Sequence, residues 1–191
     1  EALKRHAKKV CRPDTQVDIY GIGGSTIPGI DAVRTVQHYC AGRAIRNAIR
    51  AEQEGYDAFL LVSVIDVGFY EIREVVDIPV VHPTEAVLHL ACLLAPKFSF
   101  ITHNESLLHK MTELAVSYGL EQRMVPGAHL NLTYRAVGDV YVNPQPYIDS
   151  VTQVAKEVVA RGANILILGA NWLGRWLLDQ GVRQIDGAAI M

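Results

Sequence analysis

One segment of the sequence occurs twice: Gly55-Tyr-Asp-Ala-Phe-Leu-Leu-Val-Ser63 returns in altered form as Gly162-Ala-Asn-Ile-Leu-Ile-Leu-Gly-Ala170. Each copy has a glycine, a polar step and an apolar run that ends at a small residue. An apolar run that follows a helix-terminating glycine and precedes a polar loop predicts a fully buried parallel strand. Ligands of open α/β sheets bind at the carboxyl ends of such strands. Ser63 and Ala170 therefore stand where paired chemistry is expected.

The composition argues against nucleic-acid and membrane partners. Half of the 191 residues are apolar, which suffices for one α/β domain or two small half-domains. The formal net charge is -2 and the basic residues are scattered, so we expect no basic face for nucleic acid. The sequence has neither a signal peptide nor an apolar run near the roughly 18 residues of a membrane span. Cys11, Cys40 and Cys92 form no Cys-x-x-Cys pattern, and we expect a reduced, cytoplasmic protein.

Helical and strand patterns alternate along the chain. Strands are predicted at residues 17–20, 58–62, 79–81, 98–101, 165–168 and 182–185. Helices are predicted at 3–11, within 32–54, at 70–76, at 84–94 with Thr84 as N-cap, in a segment ending at 118, at 146–161 and at 173–179. Residues 124–143 have an irregular pattern. This alternation is typical of an α/β protein with mostly parallel sheets flanked by helices.

Polar side chains gather after three of the predicted strands. They are Ser63 with Asp66, Thr102 with His103 and Asn104, and Asn171 directly after Ala170. Backbone N–H groups where a strand turns into a helix, such as that of Val64 beside Ser63, are suited to bind a carboxylate or an enolate-like oxygen. An alternative is that Ser63 and Thr102 only cap the helices that follow. Their presence at equivalent strand ends favours a substrate-binding site.

Three histidines are candidates for acid-base chemistry. His103 directly follows a buried strand and is the strongest candidate for a general base or acid. His82 ends another strand, and His129 lies in the irregular stretch, where it could belong to a loop over the cleft. The remaining histidines, His6, His38, His89 and His109, lie in helical patterns and are interpreted as surface or packing residues. No histidine pair has the spacing of a metal motif, so we predict no metal ion.

The glycine-rich stretch Gly21-Ile-Gly-Gly-Ser-Thr-Ile-Pro-Gly29 superficially resembles a dinucleotide-binding fingerprint. That interpretation fails because no helix opens within the glycines and Pro28 interrupts them. We interpret the stretch as a loop over a small-molecule cleft, and no cofactor is predicted.

Several quoted stretches together resemble the aspartate/glutamate/hydantoin racemase superfamily, and most closely its hydantoin racemase branch. They are Tyr56-Asp-Ala-Phe-Leu-Leu-Val-Ser-Val-Ile-Asp-Val-Gly68, Ile72-Arg-Glu-Val-Val-Asp-Ile-Pro-Val-Val81, Glu85-Ala86, Phe98-Ser-Phe-Ile-Thr102 and Ile165-Leu-Ile-Leu-Gly169. The resemblance covers nearly the whole chain. It implies two pseudo-symmetric half-domains with the active site in the cleft between them, and it favours a homo-oligomer.

We place the first half-domain at residues 1–95, the second at 96–180, and a strand that returns to the first half at 181–191. The chain starts at Glu1 without a methionine, and we expect native residues to be missing at both ends. The resemblance implies that a first strand belongs ahead of Glu1. Ancient duplication and convergence of α/β patterns both explain the repeated segment.

In the family that the sequence resembles, two cysteines at the repeated strand ends move a proton on opposite faces of the substrate. The matching positions here are Ser63 and Ala170, and alanine has no proton to transfer. We therefore expect an enzyme of altered chemistry, a hydrolase or lyase for a small carboxylate or cyclic amide. In it, Ser63 is the nucleophile or proton carrier and His103 or His82 its base, while Thr102 and backbone N–H groups hold the oxyanion. The alternatives are a racemase or isomerase inactivated by cysteine substitution, and a non-catalytic small-molecule binder.

Overall fold

The computed structural model describes residues 2–22, 33–132, 143–169 and 171–191, with helices and strands in alternation. The helices are α1 (Ala2–Val10), α2 (Arg34–Gln53), α3 (Phe69–Val75), α4 (Pro83–Leu94), α5 (Glu105–Ser117), α6 (Gln145–Ala160) and α7 (Asn171–Asp179), with a 3-10 helix at Glu121–Arg123. The strands are β1 (Phe59–Leu60), β2 (Val80–Val81), β3 (Phe98–Thr102), β4 (Ala128–His129), β5 (Ile165–Leu168), β6 (Gln184–Ile185) and β7 (Ala188–Ile190). The predicted α/β class with helix-flanked, mostly parallel sheets is confirmed.

The strands form two sheets. β1 and β2 make a parallel two-stranded sheet, and the other strands make a five-stranded sheet in the order β4-β3-β5-β7-β6. β3 is the neighbour of both β4 and β5 and runs parallel to each. Parallel neighbours end at the same edge of a sheet, so the residues after β3, β4 and β5 come together.

The two copies of the repeated segment differ in burial. Gly55 and Gly162 both have positive φ, 82° and 103°, as expected for glycines that end helices. β5 is buried along its whole length, as predicted. In the first copy, however, Leu60 is 55% and Val62 49% exposed, so the expectation of a fully buried strand is wrong there. β1 has a ladder partner on one side, β2, whereas β5 lies between β3 and β7.

The predicted strand at 17–20 does not form. The segment has no backbone ladder to another described residue. Its side chains contact α2 and the turn that follows α2. The Tyr56 hydroxyl donates to Asp18 at 2.7 Å, and the Arg50 guanidinium lies 4.3 Å from the centre of the Tyr20 ring. Residues 17–20 are all exposed, so the apolar side chains on which the strand was predicted do not enter a core.

The strand expected to return to the first half belongs to the five-stranded sheet instead. Asp186 and Gly187 both have positive φ, 47° and 83°, which makes a tight turn between β6 and β7. The turn places β7 beside β5, with Leu166 opposite Ile190. Residues 184–190 therefore extend the sheet that contains β3 and β5, which corrects our expectation for 181–191. The boundary at residue 95 stays a prediction.

Both faces of β5 are covered. Leu166 and Leu168 belong to a core cluster with residues of α6, while Ile165 and Ile167 belong to one with residues of α5. Ile65, from the turn after β1, packs in the same cluster as Ile165 and Ile167. Buried apolar contacts thus fasten the turn after β1 to the helices that cover the larger sheet.

Candidate active site

The first candidate strand end is the turn at residues 63–68, which we call the Ser63 turn. Ser63 is half-buried, and its Oγ accepts the Ile65 N–H at 3.3 Å. Ile65 and Val67 are buried and anchor the turn. Gly68 closes it with φ 77°, and a Cβ there would lie 2.9 Å from Ala41 Cβ. The turn therefore holds its shape through two buried anchors and a glycine that other residues cannot readily replace.

Asp66 lies within the Ser63 turn and is half-buried. Its Oδ1 accepts the Phe69 N–H at the start of α3, at 2.7 Å. Burial raises the pKa of Asp66 above its ordinary value, while the Phe69 N–H and the nearby His82 act in the opposite direction. The carboxyl group is therefore easier to protonate than a surface aspartate.

His82 lies next to the Ser63 turn because β1 and β2 are parallel neighbours. The Leu61 N–H donates to the Val81 carbonyl at 3.0 Å, so the residues that follow the two strands emerge side by side. The His82 side chain is 0% exposed, and its ring lies 5.0 Å, centre to centre, from the ring of Phe69. A side chain that is sealed in this way does not touch a substrate directly.

Neither ring nitrogen of His82 has a hydrogen-bond partner among the described residues. Burial lowers the pKa of His82 below its ordinary value of 6.5, while the charge of Asp66 and the backbone of Ile65 and Ser63 favour the protonated form. Those backbone groups influence the ring without reaching hydrogen-bond geometry. The ring is therefore neutral at pH 7 and has a lone pair that can accept a proton.

Thr84 does not cap α4 as predicted. The helix begins at Pro83, with His82 at the N-cap position, because proline fits the first helical position. The Thr84 hydroxyl instead donates to the Val64 carbonyl at 2.7 Å. This bond connects the start of α4 to the Ser63 turn. It engages the Val64 carbonyl and does not involve the Val64 N–H.

The second candidate strand end is formed by β3, β4 and β5. Thr102 and His103 are buried there, and His129 lies opposite Thr102 on β4. On the other side of β3, the Gly169 N–H donates to the Ile101 carbonyl at 2.9 Å, and a Cβ on Gly169 would lie 2.5 Å from Thr102 Cγ2. The structure thus brings Thr102, His103 and His129 together, beside the position where Ala170 follows.

Asn104 caps α5, the helix that follows β3. Its Oδ1 accepts the Leu107 N–H at 2.9 Å, while the Thr102 hydroxyl donates to the Asn104 carbonyl at 2.7 Å. The alternative that Thr102 caps this helix is therefore wrong. Ser63 does not cap a helix either, since its partner is the turn residue Ile65.

Ala170 lies outside the described residues. Asn171 is the first residue of α7, and the structure describes its backbone but not its side chain. Residues 23–29 of the glycine-rich stretch are also outside the described residues, so its predicted position over a cleft stays a prediction.

The Ser63 hydroxyl makes no hydrogen bond to a histidine within the described parts of the chain. Its described partner is the Ile65 N–H. A serine nucleophile needs an adjacent base within hydrogen-bond reach. The predicted pairing of Ser63 with His103 or His82 as a nucleophile and its base is thus not formed directly.

Two cationic residues near the Ser63 turn were not predicted. A cavity beside the turn is lined by Arg34 from α2 and by Lys110 from α5. Lys110 is buried, and the sequence contains a signal for it, because it lies three residues after the buried Leu107 and so shares its helix face. In the described ranges, no three His, Cys, Asp or Glu side chains are grouped to hold a metal ion, and no helix is long and apolar enough to cross a membrane.

Comparison with known proteins supports the resemblance found in the sequence. The family model for Asp/Glu/Hydantoin racemase matches residues 1–191. A hydantoin racemase of Pseudomonas sp. (strain NS671) is 27% identical over 194 aligned positions, covering 98% of this chain and 75% of that protein. A hydantoin racemase of Paenarthrobacter aurescens is 30% identical over 148 positions, covering 74% of this chain and 61% of that protein.

Solved structures share the fold. Allantoin racemase from Pseudomonas fluorescens superposes with a TM-score of 0.79 at 20% identity, covering 99% of this chain and 77% of that chain. Allantoin racemase from Klebsiella pneumoniae gives 0.74 at 19% identity, with coverages of 98% and 74%. The chain belongs to the Asp/Glu/hydantoin racemase family.

Proposed function

We propose that this protein is a cofactor-independent isomerase that moves a proton at a carbon next to a carbonyl group of a small cyclic amide or carboxylate. Family membership and the names of the two curated relatives, both hydantoin racemases, support this class. The observation that carries the proposal is the arrangement of the two strand ends. One has a half-buried hydroxyl, Ser63, beside a neutral histidine, and the other has two histidines and a threonine.

Inversion at such a carbon needs a proton acceptor on one face and a donor on the other. The neighbouring carbonyl develops negative charge as the proton leaves, and backbone N–H groups stabilise that charge. On the first face, Ser63 is the group in contact with the substrate, and His82 takes up the proton that the hydroxyl releases. Because His82 is fully buried, it acts through Ser63 and is a positioning residue in this scheme.

The second face needs a different residue from the one at the repeated position. Alanine at position 170 carries no transferable proton. His103 directly follows Thr102, and His129 lies opposite Thr102 on β4. An imidazole side chain can both donate and accept a proton. We assign the second proton carrier to this pair, with Asp66, Val64, Thr102 and Asn171 as substrate-binding groups.

The hydrolase or lyase that the sequence led us to expect is not supported. The named relatives are racemases, and the direct hydrogen bond between Ser63 and a histidine that a serine nucleophile needs is not formed in the described residues. The proposed isomerase also requires Ser63 to come within hydrogen-bond reach of its proton acceptor, and such bonds often tighten only when substrate binds. The choice between the two classes therefore rests on the relatives.

Racemisation of one enantiomer of a 5-alkyl-hydantoin, followed by chiral chromatography, tests the proposal. We expect loss of enantiomeric excess above the rate without protein, and a decrease of at least about 100-fold in Ser63→Ala, since acid-base groups contribute roughly 10²–10⁴-fold. Ser63→Cys should retain or exceed the wild-type rate, because a thiol ionises much more readily than a hydroxyl.

Ser150→Ala is the matched control, since Ser150 is exposed and its hydroxyl only donates to the Pro146 carbonyl of α6. A ring-opened product would instead indicate a hydrolase. Binding without any turnover would indicate a small-molecule binder, and a wild-type rate in Ser63→Ala would remove Ser63 from the mechanism.

A further inference from the structure

Thr84 and Ser63 make hydrogen bonds to the same peptide group, the one that joins Val64 to Ile65. The Thr84 hydroxyl donates to the Val64 carbonyl oxygen at 2.7 Å, and the Ile65 N–H donates to Ser63 Oγ at 3.3 Å. The carbonyl and the N–H belong to one planar unit, so they cannot turn independently. Thr84 on α4 is therefore connected to the Ser63 hydroxyl through a single rigid group.

The backbone before Ser63 is held as well. The Ser63 N–H donates to the Leu61 carbonyl at 2.9 Å, and the Leu61 N–H donates to the Val81 carbonyl of β2 at 3.0 Å. These bonds fix the chain on one side of Ser63, and the bond from Thr84 fixes it on the other. The main chain around Ser63 is thus connected to β2 and to α4.

Thr84 is itself held in place. It is 2% exposed and lies in the first turn of α4. The neighbouring Glu85 accepts from Arg73 of α3 through both carboxylate oxygens, at 3.1 and 2.8 Å, and Arg73 also donates to the Val80 carbonyl at 3.0 Å. These contacts hold the first turn of α4, and with it Thr84, against α3 and β2.

The Ile65 N–H favours a negative charge on the side chain at position 63. A hydrogen bond that is donated to an ionised atom is stronger than one to a neutral atom, so it stabilises the ionised form. A hydrogen bond at the carbonyl end polarises the peptide and strengthens its N–H as a donor. After accepting the Ile65 N–H, the Ser63 hydroxyl still has its own hydrogen and a lone pair, so it can exchange a proton.

We propose that Thr84 is a positioning residue that directs the Ser63 hydroxyl and strengthens the N–H bond that this hydroxyl accepts, through the peptide between Val64 and Ile65. Thr84 is buried, keeps its own proton and acts on the substrate only through Ser63. The catalytic use of this arrangement rests on the proposed function. The arrangement itself does not depend on turnover, and it is measurable in the resting protein.

A thiol at position 63 reports the arrangement without any substrate. In Ser63→Cys, the pH dependence of alkylation by iodoacetamide gives the ionisation constant of the new thiol. Mass spectrometry of the peptide that contains position 63 separates this thiol from Cys11, Cys40 and Cys92. Adding Thr84→Val, which keeps the shape but removes the donor, should lower the constant at least about threefold, a part of the roughly tenfold that an N–H bond to an anion contributes. Adding Thr84→Ser should restore the constant, because serine supplies the same donor.

Ser99→Ala, also combined with Ser63→Cys, is the matched control. Ser99 is fully buried in the five-stranded sheet, and its hydroxyl donates to the Val125 carbonyl at 2.9 Å. Loss of this bond removes a buried hydroxyl of the same kind and should leave the ionisation constant unchanged. Urea unfolding confirms that each variant is folded, and Thr84→Ala takes the place of Thr84→Val if the valine variant does not fold. An unchanged constant without the Thr84 hydroxyl would overturn the proposal, as would an equal decrease in Thr84→Ser or Ser99→Ala.

Racemisation of the 5-alkyl-hydantoin by the protein with Ser63 in place gives a second measurement. Thr84→Val should lower kcat at least about fivefold with little change in KM, because the orientation and charge of Ser63 matter most in the transition state. Thr84→Ser should restore kcat. A change confined to KM would indicate a role in substrate binding and would contradict the proposal.

The two proposals fail separately. Thiol ionisation that depends on Thr84, in a protein that does not racemise the hydantoin, would leave the role of Thr84 standing and remove the proposed function. Racemisation that depends on Ser63 but not on Thr84 would do the opposite.

Discussion

Replacing His82 with phenylalanine should change how the stability of the protein depends on pH. His82 is fully buried and its pKa lies below the ordinary value of 6.5 because burial disfavours the charged ring. The unfolded chain therefore binds a proton on His82 at a higher pH than the folded protein does. This contribution is fully present from about one pH unit above 6.5, and the stability of the wild type decreases as the pH falls through and below 6.5.

The size of the effect follows from linkage. For a folded pKa far below the unfolded one, the loss of unfolding free energy is about 0.4 kcal/mol at pH 6.5 and about 1.4 kcal/mol at pH 5.5. These values are upper limits, because the Asp66 carboxylate favours the protonated ring. Phenylalanine is close to histidine in shape and leaves no buried nitrogen without a partner, so we expect a change within about 1.5 kcal/mol at pH 8.

Urea unfolding between pH 5.5 and 8 measures the difference between variant and wild type. The difference should be constant above about pH 7.5 and should shift in favour of His82→Phe as the pH falls, by up to about 1.4 kcal/mol. His38→Gln, which removes an exposed histidine, should leave the pH dependence unchanged. A constant difference for His82→Phe down to pH 5.5 would show that His82 titrates alike in the folded and unfolded states and would refute the reasoning.

Three further substitutions test the packing around the site by urea unfolding. Gly42→Ala, within α2, should stabilise the protein by about 0.5–1 kcal/mol, because among the described residues the new Cβ would meet only the Arg46 side chain, at 3.9 Å. Gly127→Ala should destabilise it by about 1–3 kcal/mol, since its Cβ would lie 2.6 Å from the Phe100 carbonyl oxygen. Arg123→Met should cost about 2–3 kcal/mol and speed amide exchange at the end of α4, because the guanidinium donates to three carbonyl oxygens there.

Some parts of the fold were predictable because local pattern and environment agree. The strand at 165–168 was predicted to the residue, since its apolar run is buried on both faces between two neighbouring strands. The same pattern at 58–62 gave a two-residue strand with Leu60 exposed. Burial of a strand depends on neighbours that the strand's own sequence does not specify, and the pattern could not reveal that β1 pairs on one side.

The candidate site was predictable to a similar extent. Thr102 and His103 were predicted at the same strand end and lie there. His129 was predicted in a loop over the cleft but lies on β4 opposite Thr102, a pairing that the irregular sequence pattern of 124–143 did not indicate. Sequence could not show that His82 is sealed, since that depends on the packing of Phe69 and α4 around it. The sequence also could not show that Thr84 donates to the Val64 carbonyl. The two residues lie 20 positions apart, and the fold brings them together.

Deuterium incorporation from solvent tests the central claim most directly. A single enantiomer of a 5-alkyl-hydantoin is incubated with the protein in D2O, and the proton on the carbon next to the carbonyl is followed by ¹H NMR. We predict that this signal disappears faster than without protein while the ring stays intact, and that Ser63→Ala slows the loss by at least about 100-fold. Retention of the signal, with the ring opened or with the compound bound unchanged, would contradict the account.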